Sequence, residues 1–128
     1  MIVVDTSVRI AGLRPAGSPE AITLASLLDA DEVALPAPVR SELLAGASPK
    51  DRIALKRALS ALPVVMPTDD TWQMIDIWTE KTAKAGQRFG IADLVIAALA
   101  REAGALIWSL DSDFERLEKL KLIDRYDP

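Results

Sequence analysis

Met1-Ile2-Val3-Val4-Asp5-Thr6-Ser7 opens the chain with four apolar residues in a row, two of them valine and one isoleucine. An unbroken β-branched run without alternation suits a strand buried on both faces, as in a parallel sheet covered by helices. It stops on a carboxylate followed by two hydroxyls. In open α/β sheets, ligands bind beyond the carboxyl ends of the strands. Asp5 therefore stands where this class of fold keeps its chemistry. Taken alone, a ligand role and an N-cap of the next helix are equally good readings of it.

The rest of the chain alternates in the same way. Val8–Leu13 reads as a short helix stopped by the Gly12–Gly17 stretch with Pro15 inside it. Ser18-Pro19-Glu20 has the form of an N-cap, a first-position proline and a first-turn acid, opening a helix to about Ala30. Glu32–Leu35 is a second strand, and Pro38 opens a helix to Gly46. Ser48-Pro49 repeats the Ser-Pro helix start. Leu62–Met66 is a third strand, placed at a sheet edge by Pro63. Thr68-Asp69-Asp70 caps a longer helix whose apolar face is expected to carry Trp72, Ile75, Trp78 and Thr79. Lys81–Gly90 reads as a basic loop. Ile91–Ala103 is apolar almost all round and reads as a buried helix stopped by Gly104. Ala105–Trp108 is the fourth strand, Phe114–Leu120 a short helix, and Leu122-Ile123 a candidate edge strand. The pattern gives one α/β domain over residues 1–128. It is a three-layer helix–sheet–helix sandwich with a mostly parallel sheet of four to five strands.

Two absences narrow the chemistry. With no cysteine, disulfides, thiolate nucleophiles and sulfur-bound zinc are excluded; with no histidine, so are Ser-His-Asp and Cys-His arrangements. Any metal must be held by oxygen, which points to Mg²⁺ or Mn²⁺. Net charge is −4, from 15 basic and 19 acidic residues, which argues against global attraction to nucleic acid. Four acids gathered on a metal would leave the remainder balanced. No apolar run approaches the roughly 20 residues a membrane helix needs. Met1 leads straight into the strand with no charged n-region, so the expectation is a cytoplasmic protein with no membrane attachment.

The carboxylates divide into ordinary ones and four that converge. Asp29, Asp31, Glu80, Glu115 and Glu118 lie among polar neighbours and read as solvated surface. Glu42, on the helix after the second strand, reads on its own as a solvated partner of Arg40 or Lys50. Asp93 enters the first turn of the most apolar helix, where dipole and free N–H groups favour a cap. So apolar a surrounding also demands a partner for the charge, which a metal would supply. Asp111 and Asp113 follow the fourth strand as Asp5 follows the first, and one of them suffices to cap the next helix. In a parallel sheet Asp5, Glu42, Asp93 and an acid after the fourth strand can converge at the strands' carboxyl ends, where four carboxylates repel unless cations lie between them. Such an oxygen-only site suits phosphodiester hydrolysis, with one or two metals lowering the pKa of water and neutralising charge on phosphorus and the leaving oxygen.

Four pieces of sequence, in order from end to end, resemble the PIN-domain family and its VapC-type toxins: Val3–Ser7, Ser41-Glu42-Leu43-Leu44-Ala45-Gly46, Ile91–Ala100 around Asp93, and Ile107-Trp108-Ser109-Leu110-Asp111-Ser112-Asp113-Phe114. The resemblance implies a Mg²⁺- or Mn²⁺-dependent endoribonuclease with catalytic Asp5, Glu42, Asp93 and Asp111. Asp5, Asp93 and Asp111 would be metal ligands, and Asp113 a supporting or water-mediated one. Thr6 and Ser109 match hydroxyls that orient the first acid; threonine is commoner at the position of Ser109. The resemblance further implies a homodimer and a cognate VapB-like, DNA-binding antitoxin whose tail blocks the acidic groove. Candidate RNA contacts are Arg9, Arg14, Arg40, Arg88 and the Lys81–Arg88 segment, each of which taken singly reads more readily as solubilising charge.

Three rivals fit less well. A receiver domain wants paired acids after the first strand and a late lysine. A haloacid-dehalogenase-type phosphatase wants an acid where Ser7 stands, and no G-x-x-x-x-G-K-[ST] loop exists for a P-loop NTPase. The alternative from another class is a catalytically idle PIN-like module that only binds a protein or RNA partner.

Overall fold

The computed structural model describes residues 1–8 and 17–128. The expected helix from Val8 to Leu13, together with Arg9 and Arg14, lies outside the described residues beyond Val8. β1 (Ile2–Val4) pairs in parallel with β2 (Val33–Pro36) on one side and β4 (Leu106–Trp108) on the other. β3 (Val64–Val65) completes the order β3-β2-β1-β4, parallel throughout. β1 is thus interior, and its three residues are all buried. Successive strand side chains point to opposite faces. Val3 accordingly joins the larger core cluster, while Ile2 and Val4 join Val8, Leu24, Val33 and Trp108 in the smaller one.

Helices cover both faces. α1 (Pro19–Asp29) packs its Leu24, Leu27 and Leu28 onto the smaller cluster. The opposite face is covered by α2 (Ala37–Gly46), α4 (Asp69–Lys84), α5 (Ile91–Glu102) and α6 (Ser112–Lys119), while α3 (Pro49–Leu59) adds Leu55 and Leu59. Both Ser-Pro starts are real caps: Ser18 Oγ accepts from Ala21 N at 3.1 Å and Ser48 Oγ from Asp51 N at 3.2 Å. α5 is buried from Leu94 to Ala100 without a break, as its composition requires. Gly104 ends it at φ 63°, a left-handed geometry that glycine adopts without a Cβ penalty.

Four expectations need correction. Leu122 and Ile123 form no strand; they are buried in the core, and Arg125 makes a single parallel bridge to Ile107. The bridge is made by Ile107 N donating to Asp124 O at 3.0 Å and Tyr126 N to Ile107 O at 2.8 Å. Beside it Arg125 N and Nε donate to Glu118 at 2.9 and 3.1 Å, so Glu118 is an anchor rather than free surface charge. The buried face of α4 is Thr71, Ile75, Trp78 and Thr82; Trp72 is 46% exposed and Thr79 also points outward. Thr71 replaces Trp72 because its hydroxyl has buried work, accepting from Thr68 N at 2.9 Å and donating to Glu102 at the end of α5 at 2.5 Å. Finally, α4 extends through Lys84, so the loop is confined to residues 85–90. Among the described residues no helix is long and apolar enough to cross a membrane.

Phe114, fully buried on α6, ties the short helix that follows β4 to the core. Phe114→Ala is expected to cost about 3–5 kcal/mol in urea unfolding. A loss under about 1 kcal/mol would contradict the packing described.

Candidate metal centre

Because every strand runs the same way, the ends of β1, β2 and β4 open onto one edge of the sheet. Asp5 N donates to Trp108 O at 3.0 Å, so the acid after β1 starts level with the end of β4. Asp5 is only 7% exposed. A carboxylate so buried needs hydrogen bonds, and hydroxyls provide them. Ser7 Oγ and Ser109 Oγ each donate to Asp5 Oδ2 at 2.8 Å. The two serines are fixed in turn: Leu110 N donates to Ser7 Oγ and Asp111 N to Ser109 Oγ, both at 3.0 Å. All of these side-chain bonds fall on Oδ2.

Thr6 does not orient Asp5. Its hydroxyl donates instead to Glu42 Oε2 at 2.7 Å. The reason is local: residues 6–8 form a helical turn, which carries Thr6 away from Asp5 and returns Ser7 toward it. Ser7 is the residue the sequence reading missed, although a hydroxyl two positions after an aspartate is a recognisable turn signal. Glu42 and Thr6 also line a groove of about 460 Å³ with Leu43, Gly46, Ala47 and Leu55.

Asp93, Asp111 and Asp113 form the tightest group, each offering a carboxylate oxygen within 4.8 Å of the others. Asp93 sits in the first turn of α5, whose N-cap Gly90 provides no side chain. Asp111 caps α6, accepting from Asp113 N at 2.9 Å, and still faces the cluster. Asp113, expected only as a support, is a full member, and Asp5 lies outside this triad. Asp5 is near enough for its charge to act on Asp93. Burial, a hydrogen bond to Asp113 and the charges of Asp111, Asp113 and Asp5 together push the Asp93 carboxyl from 3.8 to about 7. Asp113 is held below the ordinary range, chiefly by its hydrogen bond from Arg116. The crowding thus raises the proton affinity of Asp93 toward neutral pH. Its donors are all oxygen, as Mg²⁺ and Mn²⁺ prefer.

Of the basic candidates, Arg88 is exposed in the loop before α5. Arg40, half-buried on α2, lines a different cavity with Ser41, Val64 and Met66.

A parallel α/β sheet carrying carboxylates at one edge defines a recognised class. The sequence profile of the PIN domain matches residues 2–120, and the chain belongs to the PIN-domain family. Ribonuclease VapC11 of Mycobacterium tuberculosis is 32% identical over 126 residues, covering 94% of this chain and 93% of that protein. Among solved structures, VapBC-5 from Mycobacterium tuberculosis, a member of the VapBC family of toxin–antitoxin systems, matches with a TM-score of 0.68. It is 28% identical over 97% of each chain. VapBC2 from Rickettsia felis, bound to a promoter DNA fragment, matches with a TM-score of 0.79 at 17% identity, over 99% of this chain and 100% of that one, and supports the fold.

The raised Asp93 carboxyl has a measurable consequence. Its folded value of about 7 lies above the ordinary 3.8, so the folded state holds the proton more tightly. The stabilisation is complete below the unfolded value and is lost as pH rises through the folded one. Metal-free protein is therefore expected to lose thermal stability between about pH 5 and about pH 8, and Asp93→Asn to flatten that decline. A wild-type profile already flat over this range would contradict the crowding of the acids.

Proposed function

We propose that this chain is a metal-dependent endoribonuclease, the toxin of a type II toxin–antitoxin pair, acting in the cytoplasm. The observation that carries the reading is the Asp93–Asp111–Asp113 cluster beside Asp5. Family membership and a ribonuclease relative at 32% identity supply the substrate class. In this reading Asp93, Asp111 and Asp113 hold a Mg²⁺ or Mn²⁺ ion, and Asp5 faces it. A bound divalent ion of this kind supplies Lewis-acid charge at a phosphate and brings the pKa of water toward neutrality.

The chain's own residues do the rest. Asp93 would hold the ion as its carboxylate, with its proton released to solvent, so binding would weaken as pH falls. Ser7 and Ser109 fix the Asp5 carboxylate through one oxygen, so the other keeps a defined direction. Thr6 holds Glu42, the candidate for orienting the attacking water and taking its proton. Arg88 and Arg40, with Arg9 from outside the described residues, are the candidate phosphate contacts.

The partner reading rests on the solved VapBC complexes and on the groove that opens at Glu42. Leu43, Leu55 and Ala47 suit an apolar segment of an antitoxin, whose bound tail would cover Glu42 and exclude RNA. The active form is taken to be a homodimer.

Asp93→Asn and Asp5→Asn are each expected to lower Mn²⁺-dependent RNA cleavage at least ~10²-fold while leaving the circular dichroism spectrum unchanged. Chelation by EDTA should abolish wild-type cleavage. Wild-type rates in the Asp93→Asn protein would overturn the site assignment.

A further inference from the structure

Arg116 lies on α6, three residues after Asp113, and its guanidinium spans two elements. Nη2 donates to Asp113 Oδ1 at 2.8 Å and to the Arg88 carbonyl at 3.2 Å, while Nη1 donates to Gln87 Oε1 at 3.1 Å. The plane also lies over the Phe89 ring, 4.2 Å from its centroid. Residues 87–89 lead directly into Gly90 and α5, which bears Asp93. One side chain therefore joins the turn carrying Asp113 to the loop that sets where Asp93 begins.

Stability alone is a weak reason for this arrangement. An (i, i+3) ion pair with both side chains about a third exposed contributes little to stability, because water screens it. A lysine would make such a pair equally well. Only a planar fork bonds a carboxylate, an amide oxygen and a backbone carbonyl while stacking on an aromatic ring. α5 lacks a side-chain N-cap, so nothing at Gly90 itself duplicates this restraint.

We infer that Arg116 is a positioning residue of the metal centre, a fork that sets the separation of Asp93 and Asp113 by clamping the 87–89 loop to α6. The inference rests on the metal reading above. Arg116 touches neither substrate nor cation; it acts through the acids it holds. Its positive charge by itself would weaken cation binding, so charge and geometry pull in opposite directions. Arg116→Lys separates them, since it keeps the charge and loses the fork.

The test is Mn²⁺ titration calorimetry at fixed pH on wild type, Arg116→Lys, Gln87→Ala and Asp93→Asn. Each variant is also unfolded thermally in EDTA. Partners that orient metal ligands typically govern affinity by about 10–100-fold. Arg116→Lys is expected to raise the Mn²⁺ Kd at least about tenfold. Gln87→Ala, which removes one arm from a half-buried position and keeps the arginine, is expected to raise it in the same direction by less. A wild-type Kd in Arg116→Lys overturns the inference even if its EDTA melting point falls, because that is the signature of a purely structural role. If Arg116→Lys does not fold, an unchanged Kd in Gln87→Ala overturns it. Binding lost in Asp93→Asn but intact in Arg116→Lys removes the role of Arg116 and leaves the metal centre standing. No Mn²⁺ binding by the wild type removes both.

Discussion

Carboxylates gathered at one end of a sheet repel one another, and the fold has to hold them together against that repulsion. The position of β1 creates the problem. Flanked by β2 and β4 and parallel to both, it brings the ends of three strands to a single edge. Asp5 follows the end of β1, Asp111 and Asp113 follow that of β4, and the start of α5 adds Asp93. Each local feature of the site answers the resulting crowding. Two serine hydroxyls bond Asp5, Arg116 pairs with Asp113, and Asp93 has its proton affinity raised toward neutral pH. A divalent cation bound there would answer it more completely than any of them.

Much of this was legible in the sequence, where local chemistry and tertiary demand agree. The β-branched run of β1, the two Ser-Pro helix starts and the apolar Leu94–Ala100 run of α5 are each specified by adjacent residues, and each forms as expected. The edge position of β3 followed from Pro63. The misreadings occur where a distant partner decides the outcome. Trp72 has the right spacing for the core, but Thr71 takes the buried position because Glu102, 31 residues away, accepts its hydroxyl. Leu122 and Ile123 look like a strand and are buried, yet the bridge forms at Arg125, where Glu118 fixes the backbone.

The same division runs through the site. Acids at strand ends follow from topology, so Asp5, Asp93 and Asp111 could be singled out before any coordinates. Which hydroxyl serves which acid depends on a helical turn of three residues. That turn sends Thr6 to Glu42 and Ser7 to Asp5. Asp113 ranks second by the family resemblance, which matches the fourth acid to Asp111; in the structure Asp111 is the cap, and both carboxylates face Asp93. Arg116 was invisible to motif reasoning, since its partners lie on a loop 28–29 residues earlier.

The central claim is that these acids exist to hold a divalent cation. The most direct measurement is anomalous diffraction at the manganese edge from crystals grown with Mn²⁺. The account predicts a peak between Asp93, Asp111 and Asp113, within reach of the Asp5 oxygen that the serines leave free. No peak among these carboxylates, or one elsewhere on the protein, would contradict it.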